Sequence, residues 1–196
     1  AAATAIAIER YRPMVIINQG TSGGHDKSLN VGDIVLGKRI VNVGNMKTPV
    51  LQEGSGTDPL KWIPMDIMAS EGSAGEGEGA KDAERIRYHE GSPELLVAAN
   101  AVKEQYSRGK VVEGTIASAN FWNNEVDRIH WLHDKFGTSV EEMEGAAAAM
   151  IAASYQVPML GIRVLSNNLT NGGTYDASTA RDCQEFVLST VRQYMS

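Results

Sequence analysis

Short apolar runs separated by helical segments set the strongest limit on how this chain can fold. Residues 14–17, 33–36, 39–43, 110–117 and 158–165 each read as a strand with Val, Ile or Leu at its centre, and Ser139-Val140-Glu141 reads as a further short strand. Helical patterns fall between them. Residues 1–11 are alanine-rich and end near Pro13, and Ser92-Pro93-Glu94 opens a helix over 94–107. Further helices are expected over 125–135, 145–154 and 178–195, the last with Cys183, Phe186, Val187, Val191 and Tyr194 near one stripe. Strands alternating with helices imply an α/β fold whose mostly parallel or mixed sheet is covered on both faces. A chain of 196 residues fits one such domain, and its 42% apolar content suffices for a core. In these sheets ligands bind beyond the carboxyl ends of strands. Polar loops at 18–26, 118–124, 142–144 and 166–168 follow apolar strands, so their convergence marks the expected site.

Charge and cysteine content narrow the partners. Acidic residues outnumber basic ones 24 to 18, giving a net charge of −6, which argues against a general nucleic-acid binder. No stretch of about 18 apolar residues is present, so no membrane-spanning helix is expected. The single cysteine, Cys183, excludes an internal disulfide and suits a reducing compartment. Residues 1–11 lack the basic start of a signal peptide and run into Glu9 and Arg10. A cytoplasmic location is expected.

Residues 44–94 differ in composition. Gly54-Ser55-Gly56 and the Gly/Glu-rich stretch 71–79 weaken helix and strand alike, so a long, mobile, acidic insertion is expected within a single domain spanning 1–196. Glu71, Glu76 and Glu78 lack a calcium-loop register. His130 and His133 stand i, i+3, with neither an HExxH pattern nor a cysteine pair beside them. No metal and no cofactor are expected.

Each polar loop has a chemical and a plain reading. Gly20, Gly23 and Gly24 allow backbone N–H groups to approach an anion or a sugar hydroxyl, yet a tight turn explains them equally. The pattern matches neither the P-loop nor the dinucleotide fingerprint. In Glu142-Met143-Glu144, a carboxylate suits the cis-diol of a ribose, while acidic residues before a helix also answer its dipole. Asn167 and Asn168 can read the edge of a heterocycle or simply form a turn. Phe121 and Trp122 offer a face for a flat ring, or belong to the core.

Two segments, VIINQGTSGGHDKSLNVGDIVLG and EEMEGAAAAMIAASYQVPMLGIRVLSNN, together resemble the purine nucleoside phosphorylase and uridine phosphorylase superfamily. The branch they resemble most is the 5′-methylthioadenosine/S-adenosylhomocysteine nucleosidases. The resemblance covers nearly the whole chain outside 44–94. It implies a three-layer αβα fold around a central mixed sheet, a purine nucleoside as the small-molecule substrate, cleavage of its N-glycosidic bond, and a homodimer. It also implies roles: Glu144 holding the ribose hydroxyls beside Met143 and Glu142, Phe121 stacking on the purine, and Thr21, Ser22 and Gly23 lining the sugar side. Tyr175 would stand near the 5′ substituent.

The chain departs from the family pattern in two places. Where the nucleosidases carry an Asp that protonates the purine, this chain has Asn167, and an amide donates a hydrogen bond but no proton. Family members also begin with strands and a Gly-Ala-Met-x-x-Glu-type loop that supplies a water-activating Glu. Those N-terminal strands have no counterpart here, so a fragment of a longer protein is expected. Phosphorolysis is the nearest rival activity. It calls for cations around a phosphate, but the position where phosphorylases often carry Arg is Asn18, leaving Arg39 as the nearby candidate. Water is therefore favoured over phosphate. A non-catalytic nucleoside binder or storage-type relative is the third reading, motivated by Asn167 and the unmatched Glu.

Overall fold

The structure, a computed structural model, describes residues 1–68 and 85–196. The acidic stretch holding Glu71, Glu76 and Glu78 lies outside the described residues. Helix α1 (Ala2–Tyr11) stops where Arg12 turns left-handed at φ 45° and its N–H reaches Ile8 O at 2.9 Å. Pro13 then prevents continuation.

Strand β1 (Ile16–Gly24) runs straight through the glycine-rich segment expected to be a loop. Its partner β10 (Met159–Asn167) accounts for this, because parallel pairing from Ile16 to Gly23 fixes an extended backbone that glycine alone would not favour. At Gly24 the glycine is required, since a methyl there would run into the Asn168 side chain. The two strands expected at 33–36 and 39–43 are a single one, β2 (Ile34–Asn42), with a register shift between Gly37 and Arg39. A bulge absorbs the polar break that had suggested two strands.

Strands β3 (Met46–Lys47) and β4 (Ile63–Pro64) form a short antiparallel pair, as do β5 (Ile67–Met68) and β6 (Arg85–Ile86). Strand β7 (Tyr88–Glu90) rejoins the main sheet against β2. The described parts of the expected insertion therefore carry regular pairing. Helix α2 (Pro93–Ala101) is capped by Ser92 and ends before 107, breaking into a 3₁₀ turn at Lys103–Gln105. It is followed by β8 (Val111–Ser118), α3 (Val126–Phe136), β9 (Thr138–Glu142), α4 (Gly145–Ser154) and α5 (Thr179–Tyr194). On α5 the buried stripe runs through Cys183, Phe186 and Thr190, while Val191 is exposed. Thr190 can face inward because its hydroxyl donates to Phe186 O at 3.1 Å.

The central sheet is mixed, as expected. Strand β10 pairs with β1 in parallel and with β2 antiparallel. Parallel pairs link β2 to β8 and β8 to β9. Strand β9 then meets β1 at Gly23↔Glu141 and Gly24↔Val140, so the sheet curls until its ends touch. Alternation along β10 assigns the faces. Leu160, Ile162 and Val164 pack with Leu95 of α2 and with Cys183 and Phe186 of α5. Met159 and Leu165 pack with the alanines of α4. Leu132 and Phe136 of α3 form a smaller cluster with Val41 and Ala117. Burial on both faces explains why β10 reads as an apolar run interrupted by Arg163.

Candidate active site

The sequence after β9 gives two glutamates different fates. Glu142 is the last residue of its strand, and its carboxylate turns back onto the start of α4. It accepts the N–H of Glu144 at 2.9 Å and of Gly145 at 2.8 Å, and Arg163 donates to it at 2.6 Å. Ser118 Oγ accepts the next free N–H, from Ala146, at 3.0 Å. The helix start is thus satisfied from within. Both side chains of the Glu142–Arg163 pair are only 2% exposed. Burial pushes the Glu142 carboxyl up, but the Arg163 charge and the donated hydrogen bonds outweigh it and hold it below the ordinary range. Arg163 in turn donates to Asn18 O at 2.6 Å and to Asn18 Oδ1, tying β10 to β1.

Glu144 behaves otherwise. It sits at the N-cap of α4, exposed, and its carboxylate has no hydrogen-bond partner among the described residues. It lines a cavity of about 320 Å³ at the strand ends. All nine residues expected to bind or act on the nucleoside come together there. Thr21, Ser22 and Gly23 supply one wall from β1. Glu142, Met143 and Glu144 supply another, and Asn167 closes the end of β10. Phe121, 44% exposed, and Tyr175, 64% exposed, stand at the mouth. Glu142 borders the cavity, but its carboxylate is committed to the helix and Arg163, so the carboxylate left to face a ligand on this loop is that of Glu144.

The two asparagines also divide. Asn168 is fully buried, donates to Asp26 O at 2.9 Å and Leu29 O at 2.7 Å, and accepts from Thr170. Its role is to pin the loop after β1. Asn167 is part-buried on the cavity wall, and its Oδ1 accepts from Ser166 Oγ at 3.1 Å. Its Nδ2 is left to face the opening.

Trp122, read in the sequence as a possible stacking face, also lines the cavity, as do Asn123 and Glu141, for which the sequence suggests no role in the site. Glu141 carries no local signal, because the neighbour that brings it to the cavity, Gly23, lies across the sheet. Arg39 lies elsewhere, donating to Thr115 Oγ1 and stacking on Tyr88 at 4.5 Å. Among the described residues no Lys or Arg lines the cavity.

A mixed sheet with helices on both faces and a cavity at its strand ends is an architecture that many chemistries share, and comparison with known proteins narrows it. The sequence profile of the phosphorylase superfamily matches residues 1–194, and the chain belongs to that family. A 5′-methylthioadenosine/S-adenosylhomocysteine nucleosidase of Bacillus thuringiensis is 30% identical over 169 residues, covering 85% of this chain and 62% of the relative. The corresponding Bacillus licheniformis protein is 28% identical over 168 residues with the same coverage. The chain thus spans 62% of the length of these relatives. Among solved structures, the nucleosidase of Colwellia psychrerythraea 34H, in complex with adenine, superposes with a TM-score of 0.69 at 26% identity. That match covers 98% of this chain and 72% of the other.

Proposed function

We propose that the protein hydrolyses the N-glycosidic bond of a purine nucleoside such as 5′-methylthioadenosine or S-adenosylhomocysteine. The observation that carries the reading is the meeting of Glu144 and Asn167 on one cavity at the strand ends. As the C1′–N9 bond breaks, its electron pair leaves on the purine and the sugar becomes cationic. An unpaired carboxylate against the ribose hydroxyls stabilises that charge. Asn167 donates a hydrogen bond to the departing base, Phe121 stacks on it, and Tyr175 stands by the 5′ substituent. Water attacks C1′. Thr21, Ser22 and Gly23 border the sugar, Met143 packs beside it, and Glu142 positions the loop from beneath. The adenine held by the Colwellia relative supports a purine as the leaving group.

Water is preferred to phosphate because no cationic side chain among the described residues lines the cavity. Incubation with 5′-methylthioadenosine in phosphate-free buffer should release free adenine, detected by mass spectrometry. Strict dependence on phosphate, or no release of base, would refute the hydrolase reading.

A homodimer fits the apolar surface beside the site. Pro59, Trp62, Phe121 and Trp122 line a second cavity of about 310 Å³, and Trp122 is 68% exposed. Such a patch suits coverage by a second copy. A cytoplasmic location fits the single unpaired cysteine.

A further inference from the structure

We propose that Glu141 selects the base, its carboxylate accepting a hydrogen bond from an N–H on the six-membered-ring edge of the purine. The inference rests on the nucleoside-binding reading of the cavity and adds the group that distinguishes one purine from another. Stacking on Phe121 cannot do this, since every base offers a π-face. Asn167 turns its Nδ2 donor to the opening, while its Oδ1 meets Ser166 Oγ at 3.1 Å. A donor recognises the acceptors of a purine edge and leaves its N–H groups unread.

Glu141 supplies the missing acceptor at the right place. A methyl on Gly23 would lie 3.6 Å from Asn167 Nδ2 and 3.8 Å from Glu141 Cγ. An amide donor and a carboxylate therefore flank one glycine, and the absent side chain leaves the gap between them open to the cavity. The Glu141 side chain is 14% exposed and is held in place from behind. Asn123 donates to it through its backbone N–H at 3.2 Å and its Nδ2 at 2.5 Å. His25, fully enclosed, brings Nε2 to 3.1 Å from Glu141 Oε2, though not aligned as a hydrogen bond, while its Nδ1 meets Thr138 Oγ1 at 2.7 Å. An ionised carboxylate has about four lone-pair sites, and the aligned protein donors take two. Asn123 also follows Phe121 and Trp122 directly, so the stacking face and the carboxylate are fixed to each other.

Two purine types carry the required N–H: a 6-aminopurine through its exocyclic amine and a 6-oxopurine through N1–H. Calorimetric titration with adenosine, inosine and purine riboside separates them. Purine riboside has no N–H on that edge. At least one of the first two should bind about 10- to 100-fold tighter than purine riboside, the range for a charge-assisted hydrogen bond. The ratio should shrink severalfold in Glu141→Gln, with the thermal midpoint recorded to confirm folding. Equal binding of all three by the unaltered protein would overturn the inference and needs no variant. So would an undiminished ratio in a folded Glu141→Gln protein. Discrimination without any release of base leaves Glu141 as the selector and removes only the hydrolase reading. Failure of all three to bind removes both.

Discussion

Two carboxylates two positions apart, Glu142 and Glu144, face opposite demands. The first is locked to Arg163 and the start of α4, and the second has no partner among the described residues. Glu144→Gln should therefore leave the thermal midpoint within a degree or two while lowering base release by about 100-fold or more, as when a charge that meets a developing cation is removed. Glu142→Gln should act first on stability. Breaking one half of a buried ion pair costs about 3–5 kcal/mol, which denaturant titration will register. The pH dependence follows from the depressed Glu142 carboxyl. Its contribution is fully present above the carboxylate's unfolded pKa and is lost as pH falls through the lower folded value. Acid unfolding of Glu142→Gln should accordingly be shallower than that of the parent protein. At the far wall, Asn167→Asp restores a proton donor. It should raise adenine release toward the ~10²–10⁴-fold that general acids supply. No gain in a folded variant would argue against direct contact with the base.

At the scale of elements, much was legible in the residues. The alanine-rich α4 and the apolar β10 were evident because both faces of the sheet are covered and neither segment carries a charged interruption apart from Arg163. The glycine-rich β1 was not legible. Local propensity favours a turn there, and only pairing with a strand some 140 positions away keeps it extended. Glu141 escaped for a related reason: its meaning depends on Gly23 across the sheet, a neighbour that no sequence window contains. Val191 was misplaced because Thr190 satisfies its own hydroxyl within the helix. Gly24→Ala tests the long-range account. Its methyl would displace Asn168, release the loop at Asp26–Leu29, and lower stability by about 1–3 kcal/mol as measured by denaturant unfolding.

Taken whole, the molecule groups its polar chemistry at one end of the sheet and leaves exposed aromatic surface beside it. If that surface meets a second copy, sedimentation should give twice the monomer mass, and Trp122→Glu should return it to the monomer without unfolding it. The contact of β9 with β1 has a further consequence. Only two residue pairs join these strands, and both lie beside the cavity at Gly23 and Gly24. The weakest seam of the curled sheet thus runs beside the cavity, so a molecule bound across it would act as a clasp, and the amide protons along that seam should exchange more slowly when the cavity is filled.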